Sequence, residues 1–138
     1  MDLITDRTET DAVMGTGKGV YSYTDLNRVE TAAAEIAREI TALGFALQLQ
    51  TKTDWKLPDN FAVKDWPTES QMRRYLQNIA DIKRVFVIST QIPDSMEKLD
   101  WRGANAIEKV LQTAFGRITG IKQSYRYSGE IYAGEEML

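Results

Sequence analysis

Apolar residues recur at Leu26, Val29, Ala33, Ile36, Ile40 and Leu43, in steps of three and four that alternate without a break. That rhythm fits one face of an α-helix and no strand, whose side chains alternate with a period of two. Thr24 stands where an N-cap oxygen is needed, Asp25 complements the positive end of the helix dipole, and Gly44 supplies a stop. The spacing therefore predicts a helix over 24–43. Only about three heptads are present and Ala33 lies at the centre of the seam, which favours packing inside a bundle over a dimeric coiled coil.

Two further helices follow from the same logic. Thr68 to Gln71 has the form of a capping box, and Met72, Tyr75, Leu76, Ile79, Ile82 and Phe86 then line one face, so a helix is expected over 68–87. Pro93, followed by Asp94 and Ser95, marks a turn. Asp100 is a plausible N-cap for a third helix through Ala104, Ile107, Val110, Leu111 and Ala114 to Ile118. Phe45, Leu47 and Leu49 alternate with polar residues, and Ile121 to Tyr132 does so loosely, so these stretches can pair as a short antiparallel ribbon. Glu9 to Gly19, with its three glycines, reads as a flexible connector, as does the acidic tail from Gly134. The expected architecture is mainly α: a three-helix bundle-like single domain, residues 1–138, with a short two-stranded ribbon and extended termini. Residues 1–22 form an N-terminal arm, 23–120 the helical core and 121–138 a C-terminal arm.

Composition narrows the chemistry. A chain of 138 residues, 43% hydrophobic and 27% charged, is sized for one core. With no histidine, serine triads, imidazole bases and H-E-x-x-H zinc sites are unavailable; with no cysteine, so are disulfides and thiolate metal sites. Gly15-Thr16-Gly17-Lys18-Gly19 fails as a phosphate loop, because Gly19 stands where the magnesium-binding hydroxyl belongs and Ala12 replaces the first glycine. Asp59 with Asp65, and Glu130 with Glu135 and Glu136, lack calcium-loop spacing. Asp2, Asp6, Glu9 and Asp11 against Arg7 make the first residues acidic, Glu130, Glu135 and Glu136 do the same for the last, and the net charge is −3. The mildly basic middle gives no electrostatic grip on nucleic acid. No apolar run approaches the ~18 residues that cross a bilayer. No catalytic, cofactor-binding or metal-binding residue is expected, and no cofactor or membrane partner.

What stands out instead is a set of polar and aromatic residues at helix starts and faces. Asp25, Asn27 and Arg28 occupy the first turns of the first helix, where an arginine can form a two-pronged bond to a carboxylate. Asn78 and Asn105 fall beside apolar helical positions, and buried amides there would fix helix register. Trp55, Trp66 and Trp101 lie at loops or helix boundaries, suited to covering the core or anchoring an interface. Tyr23, Tyr75, Tyr125, Tyr127, Glu130 and Tyr132 complete the candidate structural or partner contacts.

Seven segments, LITDRT from Leu3, YTDLNRV from Tyr23, KTDW from Lys52, PTESQMRRYLQNI from Pro67, GANAIEKVL from Gly103, YSGEI from Tyr127 and AGE from Ala133, run in order along nearly the whole chain. Together they resemble a family of phage and prophage proteins of gut-type Firmicutes encoded among tail and other virion structural genes. Members often carry a longer helical insert between the first two segments, where this chain has only Glu9 to Val20. The resemblance implies a virion-associated structural or assembly protein of tail, adaptor or fibre-module type. It implies other virion proteins and further copies of itself as partners, and a place in the host cytoplasm before assembly and in the virion after. The alternatives are a phage regulatory or nucleic-acid-binding protein and, further off, a carbohydrate-directed enzyme or host-surface binder.

Overall fold

The computed structural model describes residues 2–15, 18, 21–56 and 67–136, with backbone alone described over 125–136. The molecule is mainly helical: α1 spans Glu9–Met14, α2 Tyr23–Ala42, α3 Glu69–Phe86 and α4 Trp101–Glu136. Among the described residues there is no strand.

Local chemistry sets the helix starts. The Thr68 hydroxyl accepts from the Gln71 amide at 3.1 Å while the Gln71 side chain accepts from the Thr68 amide at 2.9 Å, the reciprocal box that the sequence predicts. Asp100 caps α4 by accepting from the Gly103 amide at 2.7 Å. The first long helix starts earlier than Thr24: Ser22 is its N-cap, and Asp25 reaches back to the Ser22 amide at 2.7 Å. Gly44, at φ 98°, takes the left-handed turn that ends this helix, where a Cβ would be strained. Val87 makes the same kind of turn after α3 at φ 53° despite its branched Cβ, and its carbonyl accepts from Arg117 of α4 at 3.0 Å.

Three expectations are corrected. Glu9 to Gly19 is not wholly a loose connector, because Thr8 and Asp11 form a capping box that starts α1, and Gly15 closes it in a left-handed turn. Ile121 to Tyr132 is not a strand or extended arm: α4 continues through it to Glu136, so the helix does not end near Ile118. No proline falls between 101 and 136, and extending a docked helix is far cheaper than nucleating one, even across five glycines. The ribbon therefore does not form, since one of its two strands is helix. Residues 45–56 are extended nonetheless, and helix side chains, not a second strand, satisfy their backbone. Trp66, Asp59, Asp65 and Gly17 lie outside the described residues.

The three long helices share a direction. Arg28 meets Glu108 and, further along both helices, Glu39 meets Lys122, so α2 and α4 run parallel. Tyr75 bonds Tyr21, which lies under Arg7 at the level of Asn105, whereas Val87 meets Arg117, so α3 runs with them. Segments 45–56 and 88–99, neither helix nor strand, are the return paths, the second with a turn at Glu97–Lys98. Ile36, Ile40, Ile79, Ile82, Ile107, Val110, Leu111 and Ile118 meet at the centre, each no more than 2% exposed, and Leu47, Trp55 and Ile88 close the core from the return segments.

Candidate functional site

Two buried carboxylates organise the polar interior. Glu108 of α4, wholly buried, takes a two-pronged bond from Arg28 at 2.7 and 2.8 Å, a bond from Arg7 at 2.6 Å and the Ile4 amide at 3.0 Å. Asp25 of α2 bridges the same two arginines at 3.2 and 2.5 Å. The remaining Arg7 donors reach the carbonyls of Ile4 and Lys18 at 2.9 Å each and the Asn105 side chain at 3.3 Å. Asn105 also exchanges bonds of 3.0 and 2.9 Å with the Arg7 backbone, so the amino-terminal segment is stitched to α4. Two positive and two negative groups balance. The bond to Glu108, more than any other contact, holds the Arg28 guanidinium more firmly charged than usual.

Glu30 centres the second cluster. It accepts the Trp55 indole at 2.5 Å, the Lys52 amide at 3.0 Å and both prongs of Arg74. Asn27 clamps the Trp55 backbone at 2.6 and 2.7 Å, and Arg74 and Asn78 both donate to the Gln50 carbonyl, at 2.6 and 2.7 Å. These contacts hold the return segment against α2 and α3.

The structure thus brings Asp25, Arg28 and Asn105 into one cluster, and Asn27, Trp55 and Asn78 into the other. The Tyr75 hydroxyl pairs with that of Tyr21, and burial raises both phenols well above the ordinary tyrosine range. Tyr23 is half-buried on a surface groove. Tyr125, Tyr127, Glu130 and Tyr132 fall in the last turns of α4, where the side chains lie outside the description. Sequence reasoning missed Arg7, Glu30, Arg74 and Glu108. Glu30 and Glu108 did leave a signal, for each sits at helical spacing on an apolar face: Glu30 between Leu26 and Ala33, Glu108 between Ala104 and Leu111.

Among the described residues every buried side-chain nitrogen or oxygen has a hydrogen-bond partner, and no group of three or more acidic residues is placed to hold a metal. No described helix is long and apolar enough to cross a membrane. The arrangement orders chain segments; its donors and acceptors are occupied by the protein itself.

A surface groove lies elsewhere. An open groove of about 1830 Å³ runs along α3 between that helix and the 88–99 return segment, from Tyr23 and Thr68 at one end to Val87 and Ile88 at the other. Leu26, Met72, Leu76, Ile92, Met96 and Leu99 supply its apolar surface. Small-molecule pockets usually hold roughly 300–1,000 Å³, so this groove is scaled to a segment of polypeptide. No protein-family model, curated protein or solved structure matches the chain.

Proposed function

We propose that this protein is a phage or prophage virion-associated assembly component, of tail, adaptor or fibre-module type, acting through protein–protein contacts. The observation that carries the reading is the peptide-sized apolar groove along α3, built beside a core whose buried charges are matched internally. An apolar groove flanked by charged residues is the form in which proteins receive a helix of a partner. The serial signatures from LITDRT to AGE supply the biological setting, through their resemblance to proteins encoded with virion genes.

Quantitative mass spectrometry of purified phage particles tests this reading. The protein is expected at a fixed ratio to the major structural proteins, surviving a high-salt wash. Absence from particles, together with salt-sensitive binding to duplex DNA in a gel-shift titration, would replace it with the regulatory alternative.

A further inference from the structure

Val87 is the anomaly of the surface. It ends α3 in the left-handed turn at φ 53°, a conformation that a branched Cβ resists, and its apolar side chain is 82% exposed. Glycine would close the helix there with less strain. Backbone outliers of this kind persist where their surroundings hold them, here through the Arg117 bond to the Val87 carbonyl, and they cluster where something binds. The strained turn sets an exposed apolar side chain at one end of the α3 groove.

Val87 also completes a second stripe on α3. Arg73, Gln77, Ala80, Arg84 and Val87 recur in alternating steps of four and three, the rhythm of a helix face that packs against another helix. All five line the groove and none is buried, whereas Tyr75, Ile79, Ile82 and Phe86 face the core. Charge along the groove is polarised as well. Lys83 and Arg84 stand near Val87, and Asp94 and Glu97 stand at the other end, because Pro93 lies against Gly103 at the beginning of α4. Among the described residues, the side chains of Lys83, Asp94 and Glu97 form no ion pair. The two ends lie at the levels of Gly103 and Arg117, about 21 Å apart at the usual helical rise. Half that rise back from Val87 along the parallel α3 falls at Ala80.

We infer that the groove face of α3 is the contact of a two-fold dimer, in which α3 of each copy lies antiparallel in the groove of the other and crosses it at Ala80. A two-fold axis at Ala80 exchanges the two ends of the groove. Lys83 and Arg84 of each copy then face Asp94 and Glu97 of the other, so the charge pairing occurs twice. Val87 of each copy reaches the end of the other groove where Met72 and Met96 supply apolar surface. The small Ala80 side chain lets the helices approach closely on the axis. Such a contact uses the same patch on both copies and closes at two. The inference rests on the assembly reading and names the groove's partner.

The test uses the full chain in sedimentation velocity over a range of concentrations, with thermal melts on dilute samples. The wild-type chain is expected to pass from monomer to dimer and no further as concentration rises. V87N keeps a residue that tolerates the left-handed turn but removes the apolar contact; association should weaken about tenfold or more while the dilute melt stays within a few degrees. K83E with R84E, or D94K with E97K, should each weaken it similarly, and all four in one chain should restore it. The chain has no cysteine, so A80C should form a disulfide-linked dimer on oxidation, through position 80 alone. A chain that stays monomeric at high concentration or grows beyond a dimer overturns the inference. So does a dimer indifferent to V87N and to both charge reversals, or one that A80C does not cross-link. In each of those cases, fixed-ratio incorporation into particles would leave the assembly reading standing with a different groove partner. Dimerisation lost on V87N, in a protein absent from particles, would uphold the groove contact and sink the virion reading.

Discussion

Glu108 and Glu30 are both buried carboxylates on helix faces, but they hold different kinds of structure. Around Glu108 the partners are two guanidinium groups drawn from distant parts of the sequence, Arg7 of the amino-terminal segment and Arg28 of α2, together with the Ile4 amide. The Arg7 side chain is 1% exposed, so that cation has no recourse to water. Around Glu30 the partners are a neutral indole, a backbone amide and Arg74, whose side chain is 21% exposed. The Glu108 cluster is a balanced set of charges in which Arg7 has no access to water, although Arg28, 19% exposed, resembles Arg74. The Glu30 cluster is a clasp on a return segment, and water can take over part of its work. Burial depth alone does not separate the two; the solvent access of the partner does.

Removing each carboxylate breaks the comparison most sharply. Glu108→Ala leaves Arg7 buried without its closest counter-charge and should destabilise the fold by about 3–5 kcal/mol in urea unfolding. Equal losses for Glu108→Ala and Glu30→Ala would show that partner exposure does not matter. Glu30→Ala should cost about 1.5–3 kcal/mol, because a charge-assisted set of bonds is lost while Arg74 turns to water. Amide exchange at Lys52 and Trp55 should accelerate with it, while the amides of Ile4 and Arg7 stay protected.

Smaller effects sharpen the boundary between the clusters, where Tyr21 and Tyr75 share a hydroxyl contact. Burial raises the pKa of Tyr75, so the unfolded chain loses its phenolic proton at lower pH than the folded chain does. Stability is therefore fully present below about pH 10 and declines as pH climbs towards the folded value. Between pH 10 and 11 this group alone should remove about 1.4 kcal/mol at most, followed by chemical denaturation, with phenolate absorbance lagging until the protein unfolds. Tyr75→Phe, which deletes the contact but leaves Tyr21 near the groove, should cost about 0.5–1.5 kcal/mol and flatten that alkaline decline. Least of all, Arg73→Ala, on the surface pair with Glu69, should shift stability by less than about 0.5 kcal/mol.

Much of the helical frame was legible because it rests on short-range rules. The seam from Leu26 to Leu43 and the Thr68 box each need only a few neighbouring residues to act. The return segment was half legible: Leu47 and Leu49 do turn inward, but the alternation suggested a strand partner where Asn27, Glu30, Arg74 and Asn78 serve instead. The interior network was legible one side at a time. Asp25, Arg28 and Asn105 stand out as polar residues in helical positions, but the residues that join them come from elsewhere: Arg7 bonds Asp25 and Asn105, and Glu108, 80 residues from Arg28, accepts from both arginines, a distance no local rule spans.

By itself, the sequence determined that this chain is helical, where two of the long helices are capped, and which apolar faces must be hidden. Periodicity and capping act within one or two turns and compete with little else. Tertiary structure alone decided that α4 continues as helix through the stretch whose alternation suggested a strand, and that the three long helices lie parallel. It alone matched Arg7 and Arg28 to Glu108 and opened a groove beside α3. Those outcomes depend on which surfaces meet, and a buried charge is tolerable only after folding has brought its counter-charge from elsewhere in the chain.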